Sequence, residues 1–150
     1  MFPSASRYNK ARHDYGIANQ TALLPFLESY LKEQITQTTK FYDTIDGQTA
    51  TKDIEIKSRT PNYHYNLAFM KPGWLVPACK IRHAKTSGRP FHCFYYWKAD
   101  ESVWEFIYSE EAMWGLKPFI PSWHRDEQEH YLIPQNRWRC IRPPKTVESA

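Results

Sequence analysis

The segment from Asp53 to Ser58 constrains the fold more than any other stretch of this sequence, because its side chains alternate in character. Ile54 and Ile56 are apolar, whereas Glu55 and Lys57 are charged. Successive side chains of a β-strand point to opposite faces of a sheet. The pattern therefore predicts a strand with one face against a core, and it puts Glu55 and Lys57 together on the other face.

Further elements are predicted on both sides of this strand. Leucines at positions 23, 24, 27 and 31 recur at helical spacing, which indicates an amphipathic helix that ends near Gln34–Gln37. In chain order, the sequence predicts a helix from about residue 19, strands at 40–45 and 53–58, a loop at 60–77, a helix at 78–86, and strands at 91–97 and 103–108. This order predicts an α/β fold in which helices flank a mixed β-sheet.

The chain length of 150 residues predicts a single domain. Residues 1–15 are polar and are predicted to form a flexible arm, and residues 111–150 lack clear periodicity and are predicted to form an irregular C-terminal extension. No apolar run is long enough for a membrane span or typical of a signal peptide, so we expect no membrane partner.

The cysteines and the charge balance bear on compartment and partner. The three cysteines, Cys79, Cys93 and Cys140, are odd in number and widely spaced, which favours a reducing compartment, cytoplasm or nucleus, over secretion. Lys and Arg number 20 against 16 Asp and Glu, for a net charge of +4. This mild basic excess suits a phosphate-rich partner without requiring one.

A candidate metal site arises where the strand at 40–45 pairs with the strand at 53–58. A hairpin folded about Thr49 would place Asp43 opposite Glu55 and leave Asp46 out at the turn that Asp46 and Gly47 open. Two facing carboxylates repel each other unless a cation lies between them, and Mg²⁺ is commonly held by one or two carboxylates plus water. If the register differs by a few residues, Asp46 is the alternative ligand.

The residues of this hairpin carry a family resemblance. The stretch Phe41-Tyr42-Asp43, followed by Ile54-Glu55-Ile56-Lys57-Ser58-Arg59, resembles the active-site hairpin of the PD-(D/E)xK nucleases. It is most similar to small nuclease-like proteins of large DNA viruses and phages. The resemblance covers roughly residues 16–110 and implies a restriction-endonuclease-like core, in which a helix, a hairpin, a strand, a second helix and a further strand follow one another.

The resemblance also implies roles for individual residues. Asp43 and Glu55, with the backbone carbonyl of Ile56, would bind Mg²⁺ or Mn²⁺, and Lys57 would assist the attacking water. Many members of the superfamily carry an acidic residue on the first helix as well. Gln20 holds that place here and would support the site without a charge, and Glu28 is the other candidate on this helix.

Basic residues near the hairpin are candidates for contacts with the phosphate backbone of DNA, which Lys and Arg make without sequence preference. Arg59 follows the hairpin, and its guanidinium could bind a phosphate through two hydrogen bonds. The short second helix carries Lys80, Arg82 and Lys85. A solvated helix face explains these three residues equally well.

The sequence thus predicts a Mg²⁺- or Mn²⁺-dependent DNA endonuclease that hydrolyses phosphodiester bonds. Two alternatives stay open: a catalytically weak or inactive nucleic-acid-binding accessory protein of the same fold, and a viral interaction protein that uses its aromatic residues at an interface. A homodimer also stays open, because cutting two strands often takes two active sites.

Overall fold

A mixed β-sheet of six strands organises the computed structural model, which describes residues 18–38, 45–59, 73–121 and 128–145. Its strands are β1 (Thr36–Gln37), β2 (Gly47–Gln48), β3 (Asp53–Arg59), β5 (Phe91–Trp97), β6 (Ser102–Ile107) and β8 (Arg139–Arg142). They lie side by side in this same order. Strands β3 and β5 are parallel, and the other neighbours are antiparallel.

The remaining described elements are two α-helices, a 3₁₀ helix at Gln135–Arg137 and a small second sheet. Helix α1 covers residues 18–31, and helix α2 covers Ala78–Ser87. Strands β4 (Gly73–Pro77) and β7 (His130–Pro134) pair antiparallel as the two-stranded sheet. None of the described helices is long and apolar enough to cross a membrane.

Helix α1 covers one face of the main sheet because its leucines form a stripe. Leu23 and Leu27 are buried and pack in one cluster with Ile54, Ile56 and, from the neighbouring strands, Phe94 and Val103. Burying one such side chain contributes roughly 1.5–3 kcal/mol relative to leaving it in water. The isoleucines of β3 therefore face α1, and the polar side chains between them are left to the other face.

Helix α2 lies on that other face, between β3 and β5 in the chain. It buries Ala78, Ile81 and Ala84, which recur every three residues. It ends at Gly88, whose φ of 71° lies in the left-handed region that glycine adopts without strain. Since β3 and β5 are parallel, the chain must cross over between them, and α2 forms part of that crossover.

Aromatic side chains from both sheets form the core beside α2. Trp74 of β4 stacks on Tyr95 of β5 with ring centroids 5.3 Å apart, and it meets Trp138 edge-on at 5.1 Å. The hydroxyl of Tyr95 donates a hydrogen bond to the Leu75 carbonyl at 2.9 Å. The two sheets are thereby joined through buried aromatic rings.

Several predictions made from the sequence are confirmed. The α/β class with a mixed sheet and two helices is present, and α2, β3, β5 and β6 lie within about two residues of their predicted bounds. Helix α1 ends at residue 31, earlier than the predicted end near Gln34–Gln37. The predicted flexible arm at residues 1–15 and the predicted loop at residues 60–72 lie outside the described residues.

Other predictions are wrong. Residues 73–77 form β4 rather than loop, and the region predicted as an irregular extension contains β7 and β8. Strand β4 pairs with β7, and β8 pairs with β6 at the edge of the main sheet. These strands exist because of partners far away in the sequence, so local periodicity does not reveal them.

Candidate functional site

The hairpin formed by β2 and β3 has a different register from the predicted one. Gly47 pairs with Ile54 and Gln48 with Asp53, so the chain turns between residues 50 and 51 rather than at Thr49. Continuing this register places Asp46 opposite Glu55. The predicted position of Asp46 out at the turn is therefore wrong, and Asp43 lies outside the described residues.

Two local features favour this register. The N–H of Thr49 donates to the carbonyl of Lys52 at 2.8 Å, and the Thr49 hydroxyl accepts hydrogen bonds from the N–H groups of Thr51 and Lys52, which closes a tight turn. Position 47 of β2 needs a glycine, because a Cβ there would be 3.0 Å from Ile35 Cγ2 and 3.1 Å from the carbonyl oxygen of residue 36. A glycine inside a strand marks such close approaches, so Gly47 was the feature of the sequence that could have indicated this register.

Asp46 is held by backbone hydrogen bonds on both sides. Its N–H donates to the carbonyl of Ile54 at 3.0 Å, and its carbonyl accepts from the N–H of Thr38 at 2.7 Å. Its carboxylate Oδ2 accepts from the N–H of Ile56 at 2.7 Å. The side chain of Asp46 is thus fixed against the middle of β3, next to Glu55.

Glu55 is a buried carboxyl group. It is 1% exposed, and its Oε2 atom makes no hydrogen bond of standard geometry, although the ammonium of Lys80 lies 3.0 Å from it. Burial, followed by the neighbouring charge of Asp46, raises the pKa of Glu55 to about 8, against the opposing charges of Lys57 and Lys80. The Asp46 carboxyl is also within hydrogen-bonding reach of Glu55. The pKa of Glu55 therefore lies above neutral pH, so this carboxyl group holds its proton unless a cation offsets its charge.

Lys80 reaches this pair from α2. Its Nζ lies 3.0 Å from Glu55 Oε2, in an ion pair whose side chains are 13% and 1% exposed. Lys57 is half-buried on the same face of β3. The sequence placed Lys80 among residues of a basic helix face, but the fold turns it inward onto Glu55. Arg82 and Lys85 on α2 are exposed, and Arg59 is the last residue of β3.

Gln20 lies on α1, on the sheet face opposite to Glu55. It is 6% exposed, and its Oε1 accepts a hydrogen bond from Gln37 Nε2 at 3.1 Å. Glu28, the other candidate on this helix, accepts from the N–H of Ile35 at 2.8 Å. Both side chains thus tie α1 to the residues at the start of the sheet.

A second buried carboxylate, Asp53, lies two residues before Glu55 on β3. The sequence interpretation did not identify it. His83 Nε2 and Arg89 Nε each lie 2.9 Å from its oxygens, and Gln48 Nε2 donates at 3.0 Å. Burial alone would raise the pKa of Asp53, but the hydrogen bonds from these three side chains lower it. Asp53 and Glu55 are two residues apart on β3 and therefore lie on the same face of the strand. This spacing was the feature of the sequence that could have identified Asp53.

The donor set suits a magnesium ion but is small. Within residues 18–38, 45–59, 73–121 and 128–145, no group of three or more His, Cys, Asp and Glu side chains is arranged to hold a metal ion. Mg²⁺ needs only one or two carboxylates, since water and substrate phosphates complete its shell. Asp46 and Glu55 supply two such carboxyl groups side by side.

No known protein family, curated protein or solved structure matches this chain. Among the described residues, Asp46, Glu55, Lys57 and Lys80 are charged side chains that the fold brings together beside the middle of β3.

Proposed function

We propose that this protein is a metal-dependent DNA endonuclease that hydrolyses phosphodiester bonds. The observation that carries the proposal is a pair of adjacent carboxyl groups, Glu55 in the middle of β3 and Asp46 opposite it, with Lys57 and Lys80 beside them. A buried carboxyl group next to a second one is unfavourable unless a function or a cation accounts for it. Two carboxylates and a lysine beside one face of a strand are the parts that metal-assisted phosphodiester hydrolysis uses.

The order of elements supports the same proposal. Helix α1 precedes β1, β2 and β3, and the chain then passes through β4 and α2 into β5, which is parallel to β3. This order is compatible with the core that the resemblance to PD-(D/E)xK nucleases implies. Fold analogy alone does not establish activity, so the proposal rests mainly on the carboxyl pair.

Each side chain has a role in this proposal. Asp46 and Glu55 would hold Mg²⁺ or Mn²⁺, with the carbonyl of Ile56 as a further ligand, and we assign to Asp46 the role that the resemblance gives to Asp43. The bound ion would supply Lewis-acid stabilisation of charge on the phosphate oxygens. Lys57 would orient the attacking water. In the reaction, water adds to phosphorus, the ester P–O bond breaks, and a proton from the water ends on the departing oxygen.

The test is cleavage of labelled linear, nicked, branched and single-stranded DNA in Mg²⁺, Mn²⁺ or EDTA. The variants Asp46→Asn, Asp43→Asn and Lys57→Met address the assigned roles, and Lys117→Met, an exposed lysine, is the matched control. We expect metal-dependent cutting that falls by roughly 10²–10³-fold in Asp46→Asn and Lys57→Met and is unchanged in the control.

The outcomes separate the assignments. If Asp43→Asn abolishes cutting and Asp46→Asn does not, the metal ligand is Asp43. If the folded wild-type protein cuts none of these substrates in either metal, the enzyme proposal fails. The preferred substrate would identify the form of DNA on which the enzyme acts.

A second candidate function is nucleic-acid binding without catalysis. It is favoured by the small donor set of the described residues and by Gln20, whose amide is bonded to Gln37. The same assay decides, because such a protein would bind labelled DNA without cutting it. An interaction protein is a further alternative, for which the exposed side chains of Trp114 and Ile120 would supply apolar surface.

A further inference from the structure

Arg89 joins two segments that are far apart in the sequence, the turn of the β2–β3 hairpin and the loop that follows α2. Its Nε donates a hydrogen bond to Asp53 Oδ1 at 2.9 Å, and its Nη2 donates to the carbonyl of Thr49 at 2.9 Å. Asp53 begins β3, whereas Thr49 directly follows β2. One planar guanidinium group therefore bridges the two arms of the hairpin at the point where the chain turns.

The backbone ladder of this hairpin is short. Strand β2 has two residues and pairs with β3 through two residue pairs. A shift of one residue in such a pairing would turn every side chain of β2 to the other face of the sheet. Asp46 would then move away from Glu55, so the proposed metal site depends on this register.

The backbone on both sides of Arg89 is fixed. Arg89 follows Gly88, whose left-handed conformation ends α2, and the N–H of Arg89 donates to the Ser87 hydroxyl at 3.2 Å. The carbonyl of Pro90 accepts a hydrogen bond from the N–H of Asp53 at 2.8 Å. The guanidinium of Arg89 therefore reaches the turn from a segment that is itself bonded to the start of β3.

The carboxylate of Asp53 receives further contacts from both sides. It is 1% exposed. Gln48 Nε2, across the hairpin, donates to Oδ1 at 3.0 Å, and His83 Nε2, on α2, lies 2.9 Å from Oδ2. Removing one partner of a buried charge leaves that charge without compensation, which is costly. The contact between Arg89 and Asp53 is therefore one that the folded protein retains.

We propose that Arg89 is a positioning residue for the metal site: by bridging Asp53 and Thr49, it holds the hairpin in the register that sets Asp46 opposite Glu55. This inference rests on the proposed function and adds to it a residue that acts through the hairpin rather than by contact with the metal. A lysine at this position would keep the charge, but its compact ammonium group lacks the rigid fork of donors that spans both acceptors.

The experiment compares Arg89→Lys and Arg89→Met with the wild type by amide hydrogen exchange in EDTA and by titration with Mn²⁺. Arg139→Lys is the matched control, because Arg139 is exposed on β8, at the opposite edge of the main sheet. Ile133→Val is a second control. Ile133 is buried in β7, so loss of one methyl group lowers global stability at a place outside the hairpin. Circular dichroism checks that every variant is folded.

Two amides separate the hairpin from the rest of the sheet. The N–H of Asp46 donates to the carbonyl of Ile54 at 3.0 Å and reports the register of the hairpin. The N–H of Tyr108 donates to the carbonyl of Phe91 at 3.0 Å and reports the main sheet outside the hairpin. The ratio of their exchange rates therefore distinguishes local opening of the hairpin from global unfolding.

Both Arg89 variants should speed exchange at Asp46 about tenfold or more relative to Tyr108, as expected for the loss of a hydrogen bond to a charged group. Their affinity for Mn²⁺ should fall about tenfold or more, which is typical when a residue that supports metal ligands is lost. Arg139→Lys should leave both quantities unchanged. Ile133→Val should speed exchange at both amides alike and keep the affinity for Mn²⁺.

The inference is overturned if the Arg89 variants speed exchange at Asp46 and Tyr108 by the same factor, because Arg89 would then support the fold in general, or if exchange at Asp46 does not change. If the wild type binds Mn²⁺ and the Arg89 variants bind it equally well, the inference fails and the proposed function stands. If the wild type does not bind Mn²⁺, the proposed function fails, and the exchange rates alone decide whether Arg89 holds the register.

Discussion

Replacing Glu55 with glutamine should stabilise the metal-free protein, and the gain should grow as the pH rises. Glu55 is 1% exposed, and burial followed by the charge of Asp46 raises its pKa from 4.5 to about 8. In the unfolded chain the same carboxyl ionises near its ordinary value. The folded protein therefore binds this proton more tightly than the unfolded chain does.

The direction of the pH effect follows from that difference. Between about pH 4.5 and 8, the folded state holds more protons than the unfolded state, so the free energy of unfolding falls as the pH rises. Above about pH 8, both states are ionised at this position and the loss is complete. One pKa unit corresponds to about 1.4 kcal/mol, so the total is at most about 5 kcal/mol, and less when the site relaxes or admits water.

Glutamine is a close mimic of the protonated Glu55, since it has the same shape and no charge. We expect Glu55→Gln to match the wild type near about pH 5 and to exceed it by several kcal/mol near about pH 8.5. Urea denaturation in EDTA at a series of pH values measures this difference. Glu111→Gln, at an exposed position, should run parallel to the wild type throughout.

Parallel curves for the wild type and Glu55→Gln would refute the reasoning, because they would mean that Glu55 titrates alike in the folded and unfolded chains. Adding saturating Mg²⁺ or Mn²⁺ should reverse the order near neutral pH. The wild type would then gain binding free energy that the variant, which lacks the second carboxylate, would largely lose.

Two further predictions concern the framework around the site. Asp53→Asn should lower the free energy of unfolding by about 3 kcal/mol at neutral pH, because Arg89 would lose its buried charge partner. The difference in free energy between the variant and the wild type should shrink as acid protonates Asp53 in the wild type. Urea melts that show a constant difference down to about pH 2 would contradict this. Gly47→Ala should cost about 1–3 kcal/mol, since its Cβ would approach Ile35 Cγ2 to 3.0 Å, and a thermal melt equal to that of the wild type would show that β1 can move aside.

The sequence alone determined the elements whose patterns are local. The alternation of Ile54 and Ile56 with Glu55 and Lys57 predicted β3 and put the two charged residues on the face that carries the site. The leucine stripe predicted α1, and the aromatic run predicted β5. Such patterns report which side of an element is buried, and that is a property of a few consecutive residues.

Tertiary structure decided which carboxylate and which cation accompany Glu55. Asp46 replaced Asp43 opposite Glu55 because the turn closes at Thr49–Lys52 and Gly47 admits β1 closely. Lys80 joined the site because α2 packs on the face opposite to α1. Both outcomes depend on a hairpin register and on contacts between residues that are distant in the sequence. The local sequence did not distinguish between registers that differ by a few residues.

The strands β4, β7 and β8 also depend on tertiary structure. Their residues lack the alternation that identifies β3, and they form strands because Trp74, Trp138 and their neighbours pack in one core. Strand preference reflects packing against cross-strand and same-face neighbours more than the chain's own tendency. The local pattern therefore established that β3 exists and which of its residues share a face. Long-range packing determined which other residues lie next to them.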